Sequence, residues 1–297
     1  MRRENIDKFT FELAEQTVTF GIERCKYLVG KNHALRYDLY RTLNQCFSKT
    51  KNSEYAIREN SSRKLTINDK TVDLKHHSFH LVTAYFDLAE AMKLKSDSLI
   101  LKYIQSKLKN IEYAEEFNTL KILFEDFATY LDAMTNDFDG FDLNVDLKEL
   151  TVKSLLKLID VGFMKDEEVI NVHDLSYEET VMHQFRMIVE VAKTIPDKTF
   201  IVYCDIPELT ESIWELLGSL PDNTRVIMNT DPPKHYDVAD ILLLGHDSVD
   251  CADEYHVHES LTMNLEHCNT NADTIQLIRQ YLSGQRNAQT SMLEAIL

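Results

Sequence analysis

Residues 26–43, KYLVGKNHALRYDLYRTL, have the layout of a phosphate-binding loop: an apolar strand, a turn at Gly30 and a helix with leucines at 35, 39 and 43. The working motif is G-x-x-x-x-G-K-[ST], in which backbone N–H groups cradle phosphates, a Lys reaches the β/γ oxygens and a small hydroxyl holds magnesium. Registered on Gly30, the second glycine is Leu35, the lysine is Arg36 and the hydroxyl is Tyr37. Leu35 adds a side chain where the backbone must approach closely, and Tyr37 is a poor metal ligand. Asp205 ends the apolar run KTFIVYC, where a nucleotide hydrolase places its magnesium-binding carboxylate. The order of segments 28–39, 200–208 and 239–245 is that of ABC-type ATPases, with the phosphate chemistry dismantled.

Three other groups of residues invite a chemical reading. Asp137, Asp139, Asp142, Asp146 and Glu149 surround Gly140 and offer the closely spaced hard oxygens that calcium takes in flexible geometry. The run is no EF-hand, since its twelfth position is Lys148; a solvated acidic loop is the plainer account. Lys49, Lys51, Arg58, Arg63 and Lys64 share one loop-like stretch, and Lys102, Lys107 and Lys109 sit in the first helix of the middle, helical part. Aromatics are not interleaved with these cations, so sequence-independent contact with duplex phosphates fits better than stacking on single strands. His76 and His80, and the group Cys251, His256, His258, His267 and Cys268, lack the tight recurrent spacing of a zinc site. No nucleophilic Ser/His/Asp or Cys/His arrangement stands out.

The 297 residues suffice for about two domains. Seven glycines and five prolines argue for packed helices and strands. Five scattered cysteines with no C-x-x-C spacing suggest reduced thiols in a cytosol. The start MRRENIDKFTF lacks the apolar segment of a signal peptide, and no run approaches membrane-span length, so a cytoplasmic protein without a membrane is expected. Net charge is −17, but unevenly spread. Residues 1–110 carry 20 Lys+Arg against 13 Asp+Glu, whereas residues 111–297 carry 12 against 36. Such asymmetry points to an anionic partner for the first part, or simply to a solubilising second part.

These sites need a scaffold. Phe9–Leu13 and Thr17–Phe20 read as strands, and Lys64–Leu74 as a hairpin about Asn68-Asp69. Residues 80–86 fit either a strand or a helix start. From about 90 to 195 the pattern is helical. It includes Ser98–Leu108, Thr151–Ile159, a helix over Val181–Val191 with a Ser176/Glu179 capping box, and a stripe at Phe117, Leu120, Phe124, Phe127, Leu131 and Met134. Core is the ordinary role of such a stripe; a partner helix is the other. Strand patterns return at 198–204, 225–228 and 240–244, and the tail from 272 reads as one or two helices. The economical fold is a degenerate P-loop-NTPase-like (ABC-like) α/β head from residues 1–88 and 197–271, with an inserted all-helical leg, 89–196, and a helical tail, 272–297.

Taken together, the loop at 28–39, the middle segments DLKHHSFHLVTAYFDL, SLILKYIQSKL and FDGFDLNVDLKELTVKSLLKLIDVGF, and the strand KTFIVYCDIPELT resemble the accessory adaptation proteins of type II-A CRISPR systems, the Csn-two family. The resemblance covers roughly residues 8–247. It implies an α/β head with a helical leg, and a homotetrameric ring holding ends of double-stranded DNA in a positively lined hole. It also implies calcium (Ca2+) at acidic sites, neither nuclease nor ATPase activity, and a role in spacer acquisition beside the integrase proteins and the effector nuclease. Asp137–Glu149 falls where the family's calcium carboxylates lie. Two departures are the acidic overall charge and a tail beyond about 250 with no counterpart. Two other functions stay open on the residues alone: a divergent nucleotide hydrolase using Arg36 and Asp205, and a protein-interaction scaffold using the stripe at 117–134.

Overall fold

The computed structural model describes residues 6–48, 63–86, 98–108, 113–135, 150–156, 158, 161–230, 232, 236–262 and 270–296. The chain forms two compact units. One comprises Met1–Phe86, Tyr177–Phe185 and Ile195–Leu297; the other comprises Asp87–Ser176 and Arg186–Thr194.

The first unit is an α/β structure with a mainly parallel sheet. Its strands are β3 (Cys25–Val29), β6 (His77–Thr83), β9 (Thr199–Asp205), β10 (Thr224–Met228), β11 (Ile241–Leu244) and β12 (Ser248–Asp250), in the spatial order β12-β11-β3-β10-β9-β6. All neighbours are parallel except β11 and β12. Every residue of β10 and β11 is buried, which is why these strands read as continuous apolar runs rather than alternations. Residues 77–83 are a strand: parallel pairing of His77 with Thr199 through Thr83 with Asp205 settles a segment whose own pattern is ambiguous.

A second sheet is antiparallel, in the order β2-β1-β4-β5, built from β1 (Asp7–Glu12), β2 (Thr17–Ile22), β4 (Lys64–Ile67) and β5 (Lys70–Thr71). Phe9, Phe11 and Phe20 face inward from it, with ring centroids 6.0 and 5.6 Å apart. The β4–β5 turn places Asn68 and Asp69 at φ 52° and 61°, the left-handed pair a two-residue hairpin needs. Helix α1 (His33–Phe47) buries Leu35, Leu39 and Leu43 against the same core. Truncating any of these leucines to Ala costs about 2–5 kcal/mol.

Three ion pairs with little exposure tie the antiparallel sheet and its flanks to the rest of this unit. Lys26 of β3, 0% exposed, meets Asp250 of β12, which also accepts the Gly21 N–H at 2.8 Å. Arg225 Nε lies 2.7 Å from Asp7 Oδ2, and Arg63 Nη2 lies 2.7 Å from Asp38 Oδ1 on α1.

The second unit contains α2 (Leu99–Lys107, capped by Ser98), α3 (Ala114–Thr135), α4 (Val152–Leu156) and a hairpin of β7 (Phe163–Lys165) and β8 (Glu168–Ile170). The hairpin is a strand element inside a segment whose pattern predicts only helices. Its turn residues Asp166 and Glu167 both have positive φ. Helix α5 (Tyr177–Lys193) contributes its first residues to the first unit and Arg186 onward to the second, and α6 (Glu211–Gly218) belongs to the first. Among the described residues the stripe on α3 is not a buried core. Phe117, Phe124 and Leu131 are half-buried, and Leu120 and Phe127 are exposed, as are Ile122, Leu123 and Tyr130 outside the stripe.

The tail forms α7 (Glu254–Thr262), α8 (Asn271–Leu282) and α9 (Ala288–Ile296) in the first unit, with a complete capping box of Thr270 and Asp273. Val257, Leu261, Leu277, Ile278 and Leu293 are buried. Among the described residues no helix is long and apolar enough to cross a membrane.

Candidate functional site

The β3–α1 loop lies at the carboxyl end of the central strand, the edge where open α/β sheets bind ligands. Gly30 has φ +128°, and a Cβ there would sit 2.2 Å from the Leu244 carbonyl oxygen. The loop therefore rests directly on the end of β11, and only glycine fits. Asn32 caps α1 by accepting the Leu35 N–H at 2.9 Å, and its own Nδ2 donates to Gly245 O at 2.7 Å. The Asn32 N–H is directed to Leu244 O at 3.4 Å, and the His33 N–H to Lys31 O at 2.8 Å.

In a working loop these N–H groups face phosphate. Here they are used inside the fold. Arg36, in the register of the catalytic lysine, turns back on its own loop: Nη2 donates to Gly30 O at 2.6 Å. Its Nη1 donates to Asn229 Oδ1 at 2.9 Å, and Asn229 Nδ2 donates to Asp205 Oδ1 at 2.8 Å. Leu35, at the second glycine position, is core, whereas Tyr37 is 60% exposed. Lys31 pairs with Glu294 of α9 at 2.8 Å, and Arg286 reaches the same carboxylate at 3.0 Å. The Lys31 hydrogen bond, then the Arg286 charge, hold Glu294 below the usual carboxylate range.

Arg36, Asp205 and Asn229 line two adjoining clefts of about 350 and 280 Å³. Tyr85, Ile206, Pro207 and Thr230 complete the first; Tyr37, Tyr40 and Tyr203 help line the second. Burial first, then the Asp205 charge, raises Tyr203 above the ordinary phenol range. Asn229 gives little signal in the sequence: it follows β10 by one residue and meets Arg36 across 193 positions.

The thiols of Cys25, Cys204 and Cys251 are poor nucleophiles. Burial pushes Cys25 and Cys251 up to about 12, and Cys204 well above its ordinary value. His76 is exposed and 2.9 Å from Asp73, whereas His80 is buried and stacks on Phe200 at 5.8 Å, so the two do not form a ligand pair. His258 Nδ1 lies 2.9 Å from Thr274 Oγ1, and Cys251 is buried. His267 and Cys268 lie outside the described residues. Among the described residues no three His, Cys, Asp or Glu side chains gather as a metal site.

Of the basic residues, Arg63 is held inside the fold by Asp38, and Lys64 lies 3.4 Å from Glu12 with 61% of its side chain exposed. Lys102 and Lys107 both lie on α2; Lys102 is half-buried. Lys107 pairs with Glu190 and lies 5.4 Å from the Tyr103 ring. Lys193 meets the same carboxylate at 2.9 Å. Hydrogen bonds from Lys107 and then Lys193 hold Glu190 below the usual carboxylate range. Lys49, Lys51, Arg58 and Lys109 lie outside the described residues, as do Asp137, Asp139, Asp142, Asp146 and Glu149.

No protein-family model matches the chain, and no curated protein matches it. Among solved structures it is similar to the crystal structure of Stu0660 of Streptococcus thermophilus. The TM-score is 0.70 at 14% identity, covering 97% of this chain and 92% of that one. The likeness is one of fold, and it extends over both units.

Proposed function

We propose that this chain is a non-catalytic, ring-forming protein that holds ends of double-stranded DNA during CRISPR spacer acquisition. The observation that carries the reading is the likeness of fold to Stu0660 over 97% of the chain, joined to the residue-level resemblance to the Csn-two family. The loop at Gly30 supports it. The Asn32 N–H, the Gly30 carbonyl and the Arg36 guanidinium are committed to one another and to β11, which withdraws them from a phosphate cradle. On this reading the active form is a cytoplasmic homotetramer shaped by calcium at Asp137–Glu149. It works beside the integrase proteins and the effector nuclease. Lys64, Lys102, Lys107 and the neighbouring loop cations supply the phosphate contacts, and Arg63 acts through α1 rather than on DNA.

A ring must be threaded, so linear duplex should bind far more tightly than a closed circle of equal length. The test is a competition between the two forms with and without calcium, alongside light scattering. Equal affinity for circles and linear duplex, or a monomer under both conditions, refutes the threaded ring. Protein-dependent ATP turnover abolished by Asp205→Ala would instead establish the hydrolase.

A further inference from the structure

The clefts at the carboxyl ends of β3, β9 and β10 are left unused by DNA-end binding. Their hydrogen-bond chain has a direction. Arg36 donates to both Gly30 O and Asn229 Oδ1, which fixes the Asn229 amide with its Nδ2 toward Asp205. Asp205 accepts that single bond at Oδ1; among the described residues its Oδ2 has none, and the residue is exposed. Beside it the Arg36 guanidinium is clamped flat by two acceptors. Tyrosines surround both: Tyr85 is 90% and Tyr37 60% exposed, each lining a cleft that contains Asp205. An oriented carboxylate with open lone pairs among aromatic faces suits a planar ring that donates two parallel N–H bonds.

From this juxtaposition we infer that the cleft binds a guanine ring, Asp205 accepting from its N1–H and 2-amino group while a tyrosine face covers it. Adenine presents an acceptor, N1, where guanine presents a donor, and would meet the carboxylate lone pair to lone pair. A protein arginine also offers paired donors, but the Arg36 guanidinium lines the same cleft and repels a second cation. Phosphates gain little here, because the Asn32 and His33 N–H groups of the loop are already used and the Asp205 carboxylate repels them. The ring can come from a free nucleoside or from an unpaired guanine at a DNA strand end.

The test is calorimetric titration of the full chain with deoxyguanosine, deoxyadenosine and dGTP. Deoxyguanosine should bind at least about tenfold more tightly than deoxyadenosine, the scale of hydrogen bonds to a charged group. dGTP should bind no more tightly than deoxyguanosine. Asp205→Asn should lose about tenfold with an unchanged unfolding midpoint, and Tyr37→Ala should weaken binding severalfold. A second arm compares duplexes ending in one unpaired dG or one unpaired dA. A dG preference that Asp205→Asn removes assigns the site to strand ends; preference confined to the nucleoside assigns it to a free ligand. No deoxyguanosine binding at millimolar concentration, no discrimination between bases, indifference to Asp205→Asn, or stronger binding of N-methylguanidinium overturns the inference. The nucleoside arm contains no duplex, so its failure leaves DNA-end binding standing, and the reverse.

Discussion

Replacing Lys26 by Met tests the buried ion pair between the central strand and β12, whose Asp250 also holds Gly21 of the antiparallel sheet. Lys26 is fully buried in the central strand, and its Nζ serves Asp250 and, at 2.8 Å, Ala239 O. Methionine fills similar volume but leaves the Asp250 carboxylate, 15% exposed, without a cation and Ala239 O without its donor. Removing one partner of a buried pair costs about 3–5 kcal/mol, because the remaining charge is left desolvated and uncompensated. With a urea slope of about 2 kcal/mol/M, the midpoint should fall by about 1.5–2.5 M. The only tryptophan, Trp214, lies on the helix Glu211–Gly218 of the first unit, so its fluorescence reports that unit alone. The double variant Lys26→Met/Asp250→Asn removes both charges while an amide oxygen can still accept from Gly21. It should recover about 1–2 kcal/mol over Lys26→Met. A loss below about 1 kcal/mol for Lys26→Met, or a double variant weaker than the sum of the singles, would refute the reasoning.

Gly30→Ala should cost more than about 3 kcal/mol, or prevent folding, since it combines an unfavourable φ with backbone contact at Leu244. Gly218→Ala, with open space around it at a helix end, should be neutral or gain up to about 1 kcal/mol in the same urea titration. Glu190 is held below its ordinary value, so its contribution to the second unit is complete above about pH 4.5 and is lost as pH falls through the depressed value. Glu190→Gln should flatten that acid loss and, for a partly exposed pair, cost under about 1 kcal/mol at pH 7, read by helix-specific hydrogen exchange. If DNA is bound through phosphates, affinity should drop about a hundredfold or more between about 50 and 200 mM salt. Joint charge reversal of Lys102, Lys107 and Lys109 should weaken it equally for all sequences; a sequence-dependent loss would count against backbone contact.

What the sequence discloses is what local pattern controls. Phe9 and Phe11 alternate with polar residues and lie in a half-covered sheet; the uninterrupted run at 199–205 lies in a doubly covered one. Gly30 marks its turn because no other residue fits there. The unread features depend on distant partners. The segment at 77–83 is a strand because β9 offers it an edge, and its His/Phe/His pattern carries no clear period. The hairpin at 163–170 turns on Asp166-Glu167, a pair without the usual Asn-Gly or Asp-Gly signature. The Arg36–Asn229–Asp205 chain joins three strand or helix ends from separate parts of the sequence, and nothing local announces it. Lys26 did leave a trace: a cation inside the run CKYLV must have an anion wherever the strand is buried.

The central strand has a consequence for synthesis. Residues 25–29 are hydrogen-bonded on one side to Thr224–Met228 and on the other to Ile241–Leu244. At about 5–20 residues per second, a ribosome makes the second neighbour about 10–40 s after the strand itself. For that interval Tyr27, Leu28 and Val29 form an unpaired apolar edge on a nascent chain, a substrate for chaperones and for aggregation. Translation that stops before residue 241 yields no smaller version of the sheet, only a chain with an open edge at its centre.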